Sequence, residues 1–223
     1  MEKKESPKKS FPKISEGPQF KIAGIFSKAF GVIKFILGIC LLPFVYSFSV
    51  CFLREFWFID KLSQGYFWAG IITFLILHLF IYEPALIYRQ GHRLLEIVFS
   101  FFSPLVKVAP FVLPIYTIII FILYLLLSLL IKSRGFFHLF LFVFSFSLAL
   151  HLVFSAKTVR TKQNDFLKAN YIFGFSFIYI INLLLLSMCL SMIFKDFSFV
   201  EFFNNAILLA SNMFLAVLKQ LFL

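Results

Sequence analysis

Long apolar stretches alternate with short polar ones along the chain, and five of them are long enough to cross a bilayer: residues 32–53, 65–82, 110–131, 136–154 and 171–194. A hydrocarbon core about 30 Å thick needs roughly 20 apolar residues in a helix that rises about 1.5 Å per residue. The stretch 110–131 contains no Asp, Glu, Lys, Arg or His. The pattern predicts an all-α, polytopic helical membrane protein. A further apolar stretch, about 202–223, carries Asn205, Asn212 and Lys219 at intervals of seven, a narrow polar stripe on one helix face. It is expected to dock at the membrane interface or against the bundle, with a sixth crossing as the alternative.

Residues 87–103 follow a different rule. Arg89, His92, Arg93, Glu96, Ser100 and Ser103 recur at helical spacing, opposite Leu94, Leu95, Ile97, Val98, Phe99, Phe101 and Phe102. This is an amphipathic helix, lying in the interface or lining a polar groove between spans, and Pro104 ends it. At the other extreme, residues 1–22 are rich in Lys, Ser, Pro and Glu, a composition that cannot bury enough apolar area to order itself. They are expected to form a disordered basic tail, followed by a single helical membrane domain over 23–223. The first apolar stretch is too long for a secretory leader and lacks a small-x-small cleavage site, so it reads as a retained anchor.

Composition sharpens this picture. With 61% apolar and 14% charged residues, the chain has too little polar surface to coat a water-soluble globule. The 36 Phe residues are expected chiefly as lipid-facing bulk. The net charge of +11 sits in the tail and in particular loops, which suits a membrane better than a nucleic acid. The expected partners are therefore the lipid bilayer and other membrane proteins. Lys8, Lys9, Lys13, Lys157, Arg160 and Lys162 are the expected contacts to anionic headgroups, and Lys34 is expected to snorkel toward them. Counted by side, seven Lys precede residue 32, three basic residues lie in 83–109 and four in 155–170, against two each in 54–64, 132–135 and 195–223. That excess places the N-terminus, the amphipathic helix and the Lys157 loop in the cytoplasm. Cys40, Cys51 and Cys189 all fall in apolar stretches without CxxC spacing and read as small buried hydrophobes.

Few residues could carry chemistry. The span centres hold no acid for a proton relay and no arginine ladder, and there is no P-loop or dinucleotide fingerprint. His78, His138 and His151 lie near span ends and read as structural. The segment Tyr88-Arg-Gln-Gly-His92-Arg93-Leu-Leu-Glu96 has the register of a HExxH zinc helix. That motif supplies two imidazoles one turn apart and a Glu that activates the metal-bound water. Here Arg93 stands at the base position and Glu96 at the second ligand position, so no catalytic residue is assigned. Two accounts stand: His92 and Glu96 are an i, i+4 pair on a solvated face with Arg89 and Arg93, or they form a residual metal site completed by His151 or Asp165. No cofactor is expected on the first account, and zinc on the second.

Later segments extend the pattern. His92-Arg-Leu-Leu-Glu96 precedes Ala109-Pro110-Phe111-Val-Leu-Pro114-Ile-Tyr116-Thr117, then His151, the basic run 157–162 with Asp165, and Tyr179 with Asn182. This order resembles bacterial polytopic membrane proteins related to site-2-protease-type zinc metalloproteases, in which a GHELTH-like helix precedes an AP-aromatic-xxP-x-Tyr-Thr span. The resemblance covers about residues 81–194. It implies a multi-pass protein of a bacterial-type inner membrane and, given the altered metal and base positions, a catalytically inactive relative acting as a membrane binding or accessory protein. The connection between Phe102 and Lys107 is too short for the glycine-rich β insertion of that group. The competing functions are a residual zinc-dependent intramembrane hydrolase and a small transporter or permease component. The asymmetric placement of prolines and glycines weighs against the inverted repeat a transporter would show.

Overall fold

The computed structural model describes residues 18–81, 85–98, 109, 111–131, 133–161 and 171–222. These form helices α1 (Pro18–Phe56), α2 (Lys61–Ile76, continued by a π-helical turn at Leu77–Ile81), α3 (Ala85–Val98), α4 (Ile115–Ser128), α5 (Arg134–Thr161), α6 (Tyr171–Ile193) and α7 (Phe199–Phe222). No strand occurs among the described residues. The all-helical fold is as the pattern predicts, and five helices are long and apolar enough to cross a membrane. Membership of that set differs in one place. In the predicted span 110–131 the helix is interrupted at Leu113 and Pro114, leaving the 14-residue α4, about 21 Å long, whereas α7 offers 22 qualifying residues, Phe199–Gln220. Pro114, at φ −80° and ψ 76°, is non-helical and starts α4 late, because a proline ring fixes φ and removes an N–H from the ladder.

Other boundaries move for tertiary reasons. The described part of α1 begins at Pro18, inside the stretch expected as tail; residues 1–17, with Lys8, Lys9 and Lys13, lie outside the described residues. The fourth span runs on to Thr161 instead of stopping at 154, since Ser155 and Val159 are packed at 0% and 2% exposure. Lys157 and Arg160 thereby sit exposed on the last turns of α5 and not in a loop. The amphipathic helix is described over Ala85–Val98, and its expected remainder, 99–103, lies outside the described residues.

α5 is the hub: α2, α4 and α6 pack on it, while α1 packs between α6 and α7. Small residues allow the close approach. Gly70 of α2 faces the Phe142 carbonyl and Ser145 Oγ of α5, where a methyl group would have no room, the small-residue contact typical of membrane helices. α7 runs antiparallel along α1, pairing Phe202 with Phe48 at 5.5 Å and Phe214 with Phe44 at 5.6 Å between ring centroids. At the turn joining α1 and α2, the Asp60 carboxylate caps α2 by accepting from the Ser63 N–H at 2.9 Å, and Gln64 donates to the carbonyls of Trp57 and Ile59. Burial pushes the Asp60 pKa up, but the hydrogen bonds from Ser63 and Leu62 and the nearby His138 together outweigh it and hold the carboxyl below its ordinary value.

Among the described residues, many phenylalanines are buried inside the protein and not turned outward. Phe48, Phe52, Phe56, Phe67, Phe140, Phe144, Phe197 and Phe202 form the main core, largely as tilted and edge-to-face pairs. Helices that are apolar all round carry no sequence signal of which face is inside, so the composition could not separate core rings from lipid-facing ones. Lys34 is likewise buried by protein, at 3% exposure, in place of the expected headgroup contact.

Candidate functional site

α3 packs against α4 and α5 through a stripe of Tyr88, Gly91 and Leu95, all buried. Gly91 permits this approach. A Cβ there would press on the side chains of Ile115 and Tyr116 at the start of α4. On the other side, Arg89, Arg93 and Glu96 are exposed, along with Leu94 and Ile97. The residues expected to line one polar groove are thus divided. His92 lies between the two surfaces with its side chain 20% exposed; its Nε2 is 3.5 Å from Glu96 Oε1, an i, i+4 contact, and its ring meets Phe111 edge-on at 4.9 Å.

Behind His92 lies His151 of α5, 5% exposed. The two histidines help line one small pocket with Tyr88, Gly91, Leu95, Tyr116 and Leu150, of about 10 Å³, room for about one water. His151 Nε2 lies 3.3 Å from Ser155 Oγ, and Ser155 Oγ lies 3.2 Å from the Tyr88 hydroxyl. This chain of polar groups is enclosed by Phe74, Leu150 and Phe154. Burial pushes the Tyr88 pKa up, against the smaller opposing effect of hydrogen bonds from Ser155 and Thr158. The phenol is therefore a neutral hydroxyl at any physiological pH.

Of the residues nominated as metal ligands, the structure brings His92, Glu96 and His151 to one corner of the molecule, while Asp165, like the basic Lys162, lies outside the described residues. Among the described residues no three of His, Cys, Asp and Glu are grouped to hold a metal ion. The positions the motif reading passed over are Tyr88, Gly91 and Ser155. A glycine inside an amphipathic pattern was their one available signal; the Tyr88–Ser155 contact joins residues 67 apart and is written nowhere in local sequence.

Asn182, at the middle of α6, is 1% exposed and donates through Nδ2 to the carbonyls of Val112, at 2.9 Å, and Ile178, at 2.8 Å. It ties the segment just ahead of α4 to α6. No family model, curated protein or solved structure matches the chain.

Proposed function

We propose that the chain is a non-catalytic multi-pass membrane protein, an inactive relative of site-2-protease-type metalloproteases, that binds membrane-embedded partners as an accessory protein. One observation carries the reading: where a zinc hydrolase would keep room for a metal and its water, the His92–His151 corner leaves only about 10 Å³ and its inner histidine is engaged with Ser155. The residue at the base position, Arg93, is exposed and permanently cationic, so it can neither take a proton from water nor favour a cation nearby. The outward face of α3, with Arg89, Arg93 and Glu96 beside Leu94 and Ile97, combines charge with apolar reach, the composition of a surface that meets headgroups or a neighbouring membrane segment. Orientation is proposed from the basic residues, with the N-terminus and α3 in the cytoplasm of a bacterial-type cell.

Elemental analysis of the purified protein tests the absence of catalysis together with a co-expressed membrane substrate. Zinc is expected well below equimolar and unchanged in His92→Ala, with no substrate cleavage. Equimolar zinc that is lost in His92→Ala, or cleavage that stops in Glu96→Gln, would establish the residual hydrolase instead.

A further inference from the structure

Away from α3, a cavity of about 260 Å³ lies between α1, α2, α5 and α6, its wall almost wholly apolar. Its polar atoms are few, and their hydrogen-bonding state can be derived. Ser49 Oγ donates to the Val45 carbonyl at 2.6 Å, so in its 2.9 Å contact with the Tyr179 hydroxyl the donor is Tyr179. Both hydroxyl hydrogens are then committed. Asn182 has its two amide hydrogens on Val112 and Ile178, which fixes which amide atom is the oxygen. Among the described residues Asn182 Oδ1 is buried without a hydrogen-bond partner. Ser49, Tyr179 and Asn182 therefore present to this wall only acceptors with spare capacity, and the donor among the lining side chains is the indole N–H of Trp68.

An orphaned buried acceptor is costly, about 1–3 kcal/mol, and a water could satisfy it only with two or more polar partners within reach. No Asp, Glu, Lys or Arg lines the cavity, so an ionised ligand would enter without a counter-charge. Leu53 and Trp68 belong to the lining and are also 49% and 41% exposed, which places the mouth on the lipid-facing side between α1 and α2. A second cavity of about 170 Å³ shares Leu148, Asn182 and Leu186 with the first and adds Thr117. We propose that this is an intramembrane binding site for an uncharged hydrocarbon carrying a hydroxyl, such as a long-chain or isoprenoid alcohol, whose O–H donates to Asn182 Oδ1 while its chain leaves past Leu53 and Trp68. The site is distinct from the outward face of α3, and either can fail without the other.

The test uses the full chain in lipid nanodiscs and three photoactivatable probes on one carbon skeleton: the alcohol, the carboxylate and the alkane. The alcohol is expected to label peptides that line the cavity about fivefold more than the alkane, the ratio one net hydrogen bond supplies, and the carboxylate at neutral pH less than either. Asn182→Leu is expected to remove the preference for the alcohol. Because Asn182 also holds Val112, Leu148→Phe serves as the second variant: it fills the cavity, leaves Asn182 in place, and is expected to abolish labelling by all three probes. Equal labelling by alcohol and alkane, labelling that survives Leu148→Phe, or no labelling beyond bulk lipid, as a water-filled cavity would give, each overturns the proposal.

Discussion

Tyr88 shows how one side chain fixes an amphipathic helix to a membrane bundle. Its ring stacks at 5.3 Å on Phe154, and its hydroxyl reaches Ser155, which in turn reaches His151. The phenol has a raised pKa in the folded protein because of burial. The stability it contributes is thus fully present below the ordinary tyrosine value of about 10 and is lost as pH rises past it through the raised value. Alkaline titration is expected to show late tyrosinate absorbance that loses one tyrosine's amplitude in Tyr88→Phe, with protease cleavage within 85–98 rising in parallel; a late absorbance unchanged in Tyr88→Phe would refute its enclosure. At neutral pH, Tyr88→Phe is expected to cost about 1 kcal/mol, the net worth of one hydrogen bond. The sequence made His92 and Glu96 legible, because i, i+4 spacing is local. It could not disclose that His92 turns inward while Arg89 and Arg93 face out, since that depends on where Gly91 lets α4 approach.

Among the elements, the α2–α5 pair depends most on a single position. Gly70→Ala would set a methyl group against the Phe142 carbonyl and Ser145 Oγ, and backbone cannot yield as a flexible side chain would. The expected cost is about 1–3 kcal/mol, read as a lowered midpoint of unfolding in detergent. Gly65→Ala on the same helix is the control. Nothing lies within 4 Å of its Cβ, so no loss is expected there, and equal behaviour of the two variants would mean that α2 and α5 do not meet as described. Element existence was readable from length and apolarity wherever a stretch ran uninterrupted, as in α6. It was misread at α4, where Pro114 halts the helix inside an apolar run, and at the end of α5, where tertiary contacts of Ser155 and Val159 carry the helix into a stretch whose composition resembled a loop.

For the whole molecule, α7 runs antiparallel to α1, so the two leave the membrane domain at opposite ends. If α4 and its flanking Leu129–Ile131 cross with their neighbours, six passes return the chain to its starting side. The short α4 would be met there by local bilayer thinning. Single cysteines placed in a cysteine-free background at Ser10, Ser133 and Gln220 are expected to show Ser10 and Gln220 labelled from one side and Ser133 from the other; opposite labelling of Ser10 and Gln220 would remove one crossing. The pairing of α1 with α7 also has a consequence for biogenesis. Ser47 and Met213, in contact at 3.6 Å, are 166 residues apart, and ribosomes add about 5–20 residues per second. The Phe44–Phe48–Phe52 side of α1 must therefore wait roughly ten to thirty seconds in the membrane before its mate is made, an interval in which an insertase or chaperone would have to shelter it.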